Sequence, residues 1–334
     1  MSKSERIAII GDGAMGSVCA IILANKGYDV GLWGAFAENI EDTIRLNENR
    51  KYLPGFSLPQ QLRISSWAEE IMAGAGLVIS AIPCQYLRGL WPRLSDCLAE
   101  DSAIISVTKG IENNTLKRPT EILAELTGSD RRLASLSGPT IAVELAKGLP
   151  ATAVVASTDA DLAQWGQRIF TTAFFRLYTN YDLLGVELAG ASKNVIAIAA
   201  GIIDGLNLGD NTKAALLTRG LVEITRLGVA LGAKQETFAG LAGLGDLVTT
   251  CISSLGRNRY VGEQIGKGEE LEDILSDMSA VAEGVATTKS LTALARKHQV
   301  DMPITFKVHS VLFDGQEPLG AISELMGRAP KSER

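Results

Sequence analysis

Histidine is nearly absent: the 334 residues hold two, His298 and His309, both near the C-terminus. If the protein runs an acid/base step, lysine or a carboxylate is therefore a serious candidate to carry it. Aromatic residues are also few, at 5%, and the apolar content of 46% rests on Ala, Leu, Ile, Val and Gly. That balance suits α/β layers and closely packed helices. The four cysteines, Cys19, Cys84, Cys97 and Cys251, have no CxxC spacing. Buried thiols are expected in place of a zinc site or disulfide framework, and no metal is expected. The net charge is −6 with no basic block, which makes nucleic acid a poor partner. No uninterrupted apolar run reaches the roughly 18 residues of a membrane helix. The opening MSKSERIAIIGDG enters a strand pattern without a secretory core, so a cytoplasmic location is expected.

The first half alternates short β-rich runs with helical stretches. Strands are predicted at 6–10, 28–33, 77–82, 103–107, 132–137, 152–156 and 174–178. Their near-continuous apolar character fits parallel strands covered on both faces, and the alternation fits a doubly wound sheet. From about Asp182 helices follow one another, predicted at 186–203, 212–231, 236–251, 258–267, 270–277, 285–297, 304–313 and 317–327. The fold class is α/β: a Rossmann-type doubly wound sheet over residues 1–184, then an all-α domain over 185–334. A crevice between two such domains is a common ligand site.

After the first strand stands Gly11-Asp12-Gly13-Ala14-Met15-Gly16, followed by a helical SVCAIILANKG. This is GxGxxG between a strand and a helix. In a dinucleotide fold the first glycine permits the turn, the second admits the pyrophosphate and the third lets helix and strand pack. The second strand ends in LWGAFAENIED. It offers neither the acid that reads an NAD ribose nor the arginine that reads a 2′-phosphate. Either cofactor is open, and the missing cation favours NAD over NADP.

ELAGASKNVIAIAAG, Glu187 to Gly201, raises a separate question. On a helix the neighbours of Lys193 are Ala189, Gly190, Ile196 and Ala197. An ammonium desolvated there costs free energy unless it is paired. Lys109, in SVTKGIE, follows a strand and is either a solvated loop lysine or a ligand contact at the sheet's carboxyl edge. Ser137-Gly138-Pro139 ends another strand, as a plain helix start or as part of a site. Asp246 and Thr250 lie four apart and can share a helix face. Arg257 and Arg259 flank Asn258 in GRNR, where a guanidinium suits phosphate or carboxylate as well as open solvent. Lys213, Arg219 and Glu223 read as structural, Arg219 and Glu223 as an exposed i,i+4 pair.

Taken together these segments resemble the NAD(P)-dependent glycerol-3-phosphate dehydrogenase family. They are GDGAMG, YLPG (52–55), SAIP (80–83), VTKGIE (107–112), SGPTIAVE (137–144), ELAGASKNVIAIAAGI (187–202), GDNTKAALLTRGL (209–221), GLAGLGDLVTTC (240–251), GRNR (256–259) and EGVATT (283–288). The resemblance implies a helical domain like the C-terminal domain of 6-phosphogluconate dehydrogenase. It implies interconversion of dihydroxyacetone phosphate and sn-glycerol 3-phosphate with NAD or NADP, supplying glycerophospholipid synthesis, and a homodimer.

The same resemblance implies roles. Lys193 is the general acid/base, with Lys109, Asn194, Asp246 and Thr250 completing the catalytic network. Gly11, Gly13, Ala14, Met15, Gly16, Pro83, Lys109, Ala142, Arg257, Val281 and Glu283 contact the cofactor. Lys109, Gly138, Thr140, Lys193, Asp246, Gly256, Arg257 and Asn258 contact the substrate. Ala14-Met15 stands where many relatives carry Ser and an aromatic residue, and Gly256 where bacterial relatives often carry Ser. Two other readings compete: another two-domain lysine dehydrogenase of the ketopantoate reductase or β-hydroxyacid type, and a non-catalytic dinucleotide sensor.

Overall fold

The structure is a computed structural model that describes residues 5–278, 280–330 and 332. Eight strands form one sheet in the order β3-β2-β1-β4-β5-β6-β7-β8. They are β1 (Arg6–Ile10), β2 (Asp29–Trp33), β3 (Arg63–Ser65), β4 (Leu77–Ser80), β5 (Ala103–Ser106), β6 (Leu133–Ser137), β7 (Ala151–Ala156) and β8 (Phe175–Asn180). The helices among them are α1 (Ala14–Asn25), α2 (Ala37–Leu46), α3 (Ala68–Met72), α4 (Leu87–Leu94), α5 (Pro119–Thr127), α6 (Ala142–Ala146) and α7 (Ala160–Phe170).

Alternate residues of β1 enter different cores, which explains its unbroken apolar run. Ile7 and Ile9 join Val18 and Leu23 of α1 on one face. Ala8 and Ile10 join Leu87 and Trp91 of α4 on the other. β4 and β5 are fully buried in the same way, as parallel strands covered on both faces require. β8 buries Phe175 and Leu177 but exposes Arg176 and Tyr178, the alternation of an edge with one wet face.

Two features of the sheet depart from expectation. β7 runs antiparallel to β6, and only β8 is parallel to it. The connection between β6 and β7 holds one five-residue helix, α6. That is too short to carry the chain back across the sheet, as a parallel crossover must, so β7 starts at the edge where β6 ends. β3 was not predicted because three residues give too little periodicity to detect.

The second half is helical: α8 (Leu183–Gly205), α9 (Gly209–Ala230), α10 (Gln235–Phe238), α11 (Asp246–Ile252), α12 (Arg257–Gly266), α13 (Leu271–Ser276), α14 (Glu283–Lys297), α15 (Pro303–Phe313) and α16 (Pro318–Met326). The single helix expected over 236–251 is broken. Gly240 interrupts it, Leu241–Gly245 form a π turn, and α11 begins at Asp246. A Cβ on Gly243 would lie 2.0 Å from Phe238 O, so this fold-back needs bare backbone.

α8 is the axis of this half. Asp182 caps it through Gly185 N–H at 3.0 Å and also accepts from Lys234 N and Thr237 Oγ1. Ile196, Ile198 and Ile202 sit in the helical core with Leu227, Val261 and Leu291. By length and composition α8 is apolar enough to cross a membrane, but its apolar window is wholly buried within the protein. α12 packs directly on it: a Cβ on Gly201 would lie 2.0 Å from Arg259 O, and one on Gly262 2.0 Å from Ile198 O.

Candidate active site

Four loops converge at the carboxyl edge of neighbouring strands, those after β1, β4, β5 and β6. The strand order reverses between β1 and β4, and open α/β sheets bind ligands at such a point. The three fingerprint glycines differ in their surroundings. Gly11 has φ +113°, and its Cβ would meet Ala81 O at 2.8 Å. A Cβ on Gly16 would lie 1.8 Å from Gly11 O. A Cβ on Gly13 would meet nothing within 4 Å. The turn therefore presents open backbone at Gly13, beside the first turn of α1, where N–H groups have no partner inside the helix. Those features fit a dinucleotide pyrophosphate. Ala14 and Met15 begin α1 half-buried, and Ala142 begins α6, which packs against α1.

One carboxylate organises the opposite side. Asp246, 2% exposed, accepts from Lys193 Nζ through Oδ1 at 2.6 Å and from Lys109 Nζ through Oδ2 at 2.8 Å. Lys193 Nζ also donates to Thr250 Oγ1, which donates to Asp246 Oδ1 at 3.3 Å. Lys109 Nζ reaches Gly138 O at 2.9 Å and Thr140 Oγ1 at 3.2 Å. Asn194 Nδ2 donates to Lys109 O at 3.1 Å, fixing the loop that carries the lysine. The small residues of α8 serve this approach: a Cβ on Gly190 would lie 2.7 Å from Ser137 Oγ and 3.6 Å from Lys109 Cγ.

Lys193 is 6% exposed. Burial is the main cause that pushes its ammonium down to about 8; Asp246 opposes the shift and Lys109 adds to it. Glu283 opens α14, and its Oε1 accepts Cys84 N–H, just past Pro83, at 2.9 Å. Burial pushes its carboxyl up to about 7 against that N–H and the Arg257 charge. Its Oε2 is buried with no hydrogen-bond partner among the described residues. Val281 lies exposed at the approach to α14.

Gly256 is the N-cap of α12, so Arg257 and Asn258 occupy its first turn. The Arg257 side chain makes no hydrogen bond or salt bridge among the described residues; Glu283 is the charge that acts on it, against a desolvation that lowers its guanidinium from the ordinary value. Asn258 is buried, and its Oδ1 accepts Gly284 N–H at 2.9 Å. Arg259 turns away, its Nε donating to Asp204 Oδ2 at 2.7 Å beside the Lys213–Asp204 ion pair.

The Arg219–Glu223 pair is not formed. Glu223, 2% exposed, instead accepts the N–H groups of Ile304 and Thr305, each at 2.8 Å, at the start of α15. Helix spacing allowed the local pair, but the free N–H groups of a neighbouring helix win. Sequence reasoning also missed Asn49, which is fully buried. It donates to Asp12 O at 2.6 Å and Ser17 Oγ at 2.9 Å and holds the fingerprint turn. Its position three residues before YLPG was the only signal. Glu187 was missed too: it accepts from Arg118 Nη1 at 2.5 Å, Thr120 N at 2.9 Å and Thr120 Oγ1 at 2.6 Å. This ties α8 to the start of α5. A cavity of about 990 Å³ lies elsewhere, lined by Ile202, Leu216, Val308 and Met326 among others, and contains neither site lysine.

Residues 6–163 match the family model described as the NAD-dependent glycerol-3-phosphate dehydrogenase N-terminus, and residues 182–323 the one described as its C-terminus. The chain is 46% identical to the glycerol-3-phosphate dehydrogenase (NAD(P)+) of Chlorobium limicola, covering 98% of this chain and 99% of the relative. It is 47% identical to the enzyme of the same name from Koribacter versatilis, covering 98% and 99%. A crystal structure of glycerol-3-phosphate dehydrogenase from Coxiella burnetii superposes with a TM-score of 0.94 at 36% identity, covering 97% of this chain and 99% of that one. A ketopantoate reductase from Ralstonia eutropha shares the fold, at TM-score 0.58 and 16% identity.

Proposed function

The chain belongs to the NAD-dependent glycerol-3-phosphate dehydrogenase family, and on that premise we propose that it interconverts dihydroxyacetone phosphate and sn-glycerol 3-phosphate with NAD(H) or NADP(H). The observation that carries the reading is the Asp246 carboxylate shared by Lys193 and Lys109 at the carboxyl edge of a sheet bearing an open GxGxxG turn.

The dinucleotide, when bound, supplies or accepts the hydride. The protein must then manage charge on the substrate oxygen, because negative charge builds there as a ketone is reduced. Lys193 meets that charge and delivers the proton. Its ammonium, pushed down to about 8, exchanges protons near neutral pH far more readily than an ordinary lysine. Asp246 holds it in place, Thr250 fixes its direction, and Asn194 and Lys109 set the loop opposite. Two ammoniums around one carboxylate leave a net positive charge that draws an anionic substrate. Gly138 and Thr140 line the same space. Gly256, Arg257 and Asn258 offer the phosphate a helix N-terminus and a guanidinium that forms no hydrogen bond or salt bridge among the described residues. Pro83, Ala142, Val281 and Glu283 border the cofactor.

In this reading residues 1–184 hold the dinucleotide and residues 185–334 carry the substrate chemistry. The protein acts in the cytoplasm as a homodimer, and its product feeds glycerophospholipid synthesis. The test is loss of NADH or NADPH absorbance on adding dihydroxyacetone phosphate. Arg257→Ala should weaken turnover of that substrate far more than turnover of unphosphorylated dihydroxyacetone. No oxidation of either cofactor sinks the reaction, and equal loss on both substrates removes Arg257 from the phosphate site.

A further inference from the structure

A dinucleotide fold reads the adenosine ribose at the tip of its second strand, through an acid for a free 2′-hydroxyl or an arginine for a 2′-phosphate. Here β2 ends at Trp33, and Gly34, Ala35 and Phe36 follow, so neither residue is present. Asp12 is the acid beside this tip. It is 6% exposed, and its Oδ2 accepts Asn39 Nδ2 at 2.6 Å.

A cation nevertheless reaches the tip from another segment. Phe36, the N-cap of α2, leaves its side chain in solvent at 62% exposure. Lys51, between α2 and β3, places Nζ 5.4 Å from the Phe36 ring centroid and 5.1 Å from that of Tyr52. The backbone that carries Lys51 is anchored. Asn49 clamps it to the fingerprint turn through Asp12 O and Ser17 Oγ, and Asn49 Oδ1 accepts Tyr52 N–H at 3.3 Å. Leu53 is fully buried, and its N–H bonds Asn49 O at 2.8 Å. The neighbouring Arg50 is engaged with Glu48 at 3.4 Å, whereas Lys51 has no salt-bridge partner among the described residues. An exposed aromatic face, an ammonium above it that acts on buried Asp12 without forming a salt bridge among the described residues, and a backbone tied to the pyrophosphate turn match the three parts of an adenosine 2′-phosphate: base, charge and fixed distance.

We propose that Lys51 is the residue that reads the adenosine 2′-phosphate, with Phe36 as the face for adenine, so that the chain accepts NADP(H) without an arginine after β2. This rests on the dinucleotide reading above. It reverses the preference for NAD that the missing arginine suggested, because the cation comes from a loop some fifteen residues further on (Phe36 to Lys51).

Equilibrium binding tests the proposal without turnover. NADPH and NADH fluorescence is titrated with the substrate-free protein as wild type, Lys51→Ala and Lys51→Arg. Lys51→Ala should weaken NADPH by about tenfold, the low end for a hydrogen bond to a charged group, and leave NADH within about twofold. Lys51→Arg should retain NADPH, and the wild-type preference should shrink as ionic strength rises from about 0.05 to 0.5 M. Equal weakening of both cofactors, or no change in either, overturns the role of Lys51 while the dinucleotide reading stands. Failure of the wild type to bind either cofactor overturns both.

Discussion

Lys193→Met should slow catalysis and also remove a specific pH dependence of stability. In the fold, burial holds the Lys193 ammonium at about 8 against the ordinary 10.5. Between those values the unfolded chain binds more protons than the folded one, so stability rises with pH. Below about pH 8 the charged side chain weakens the fold by roughly 3 kcal/mol, at about 1.4 kcal/mol per pH unit over the interval, and above 10.5 the penalty is gone. Methionine has nearly the same length and no charge, so the variant loses that rise. The absolute stability of Lys193→Met is a poor readout, because Asp246 Oδ1 also loses its shortest donor at 2.6 Å, a separate cost of about 1–3 kcal/mol. The difference in slope is free of that cost, which does not vary with pH across the window. Urea unfolding at a series of pH values from 7.5 to 10.5 gives both curves. Their separation should change by roughly 3 kcal/mol across the window, while turnover of the variant falls by at least about a hundredfold and NADH still binds. Parallel stability curves would show that Lys193 titrates like a solvated lysine. Turnover within about tenfold of wild type, about 1.4 kcal/mol of barrier, would remove it from proton transfer.

Three more outcomes follow from the same geometry. Asp246→Asn removes the charge that raises the Lys193 ammonium; ketone reduction, which needs that proton, should then lose half its rate at a pH lower by at least about one unit, and an unmoved pH–rate profile would refute the coupling. Gly16→Ala places a Cβ 1.8 Å from Gly11 O, so NADH binding should weaken more than about tenfold in a protein that keeps its far-ultraviolet dichroism; unchanged titrations would refute the reading of the turn. Glu187→Ala strands Arg118 and the start of α5 beneath α8, and urea unfolding should show a loss of about 3 kcal/mol; a loss below about 1 kcal/mol would mark the contact as peripheral.

What the sequence made legible depended on local signals. Lys193 stood out because one charge lies in an apolar helix, and the structure buries it. The strands of the first half were visible because burial on both faces writes continuous apolar runs. Direction and length were harder. β7 has the same apolar run whichever way it lies, and only the short β6–β7 link, whose consequence is geometric, reverses it. The break at Gly240 was hidden because a glycine-rich apolar stretch still satisfies helical spacing. Arg257 and Arg259 were indistinguishable in GRNR; tertiary packing turns Arg259 toward Asp204 and leaves Arg257 near Glu283 without a hydrogen bond or salt bridge among the described residues. Glu223 and Asn49 find partners 81 and 37 residues away, which no local window contains.

The glycine contact between α8 and α12 has a consequence for substrate length. Lys193 lies on α8, and Gly256, Arg257 and Asn258 begin α12. The two helices meet backbone to backbone at Gly201 and Gly262, where a methyl group would stand 2.0 Å from a carbonyl oxygen. The span from Lys193 to the first turn of α12, the proposed proton donor and the proposed phosphate site, is therefore fixed like the jaws of a caliper, with no side chain at the pivot to yield. Selection among hydroxyketone phosphates of different chain length would then reside in that pivot, and not in the walls of the cleft.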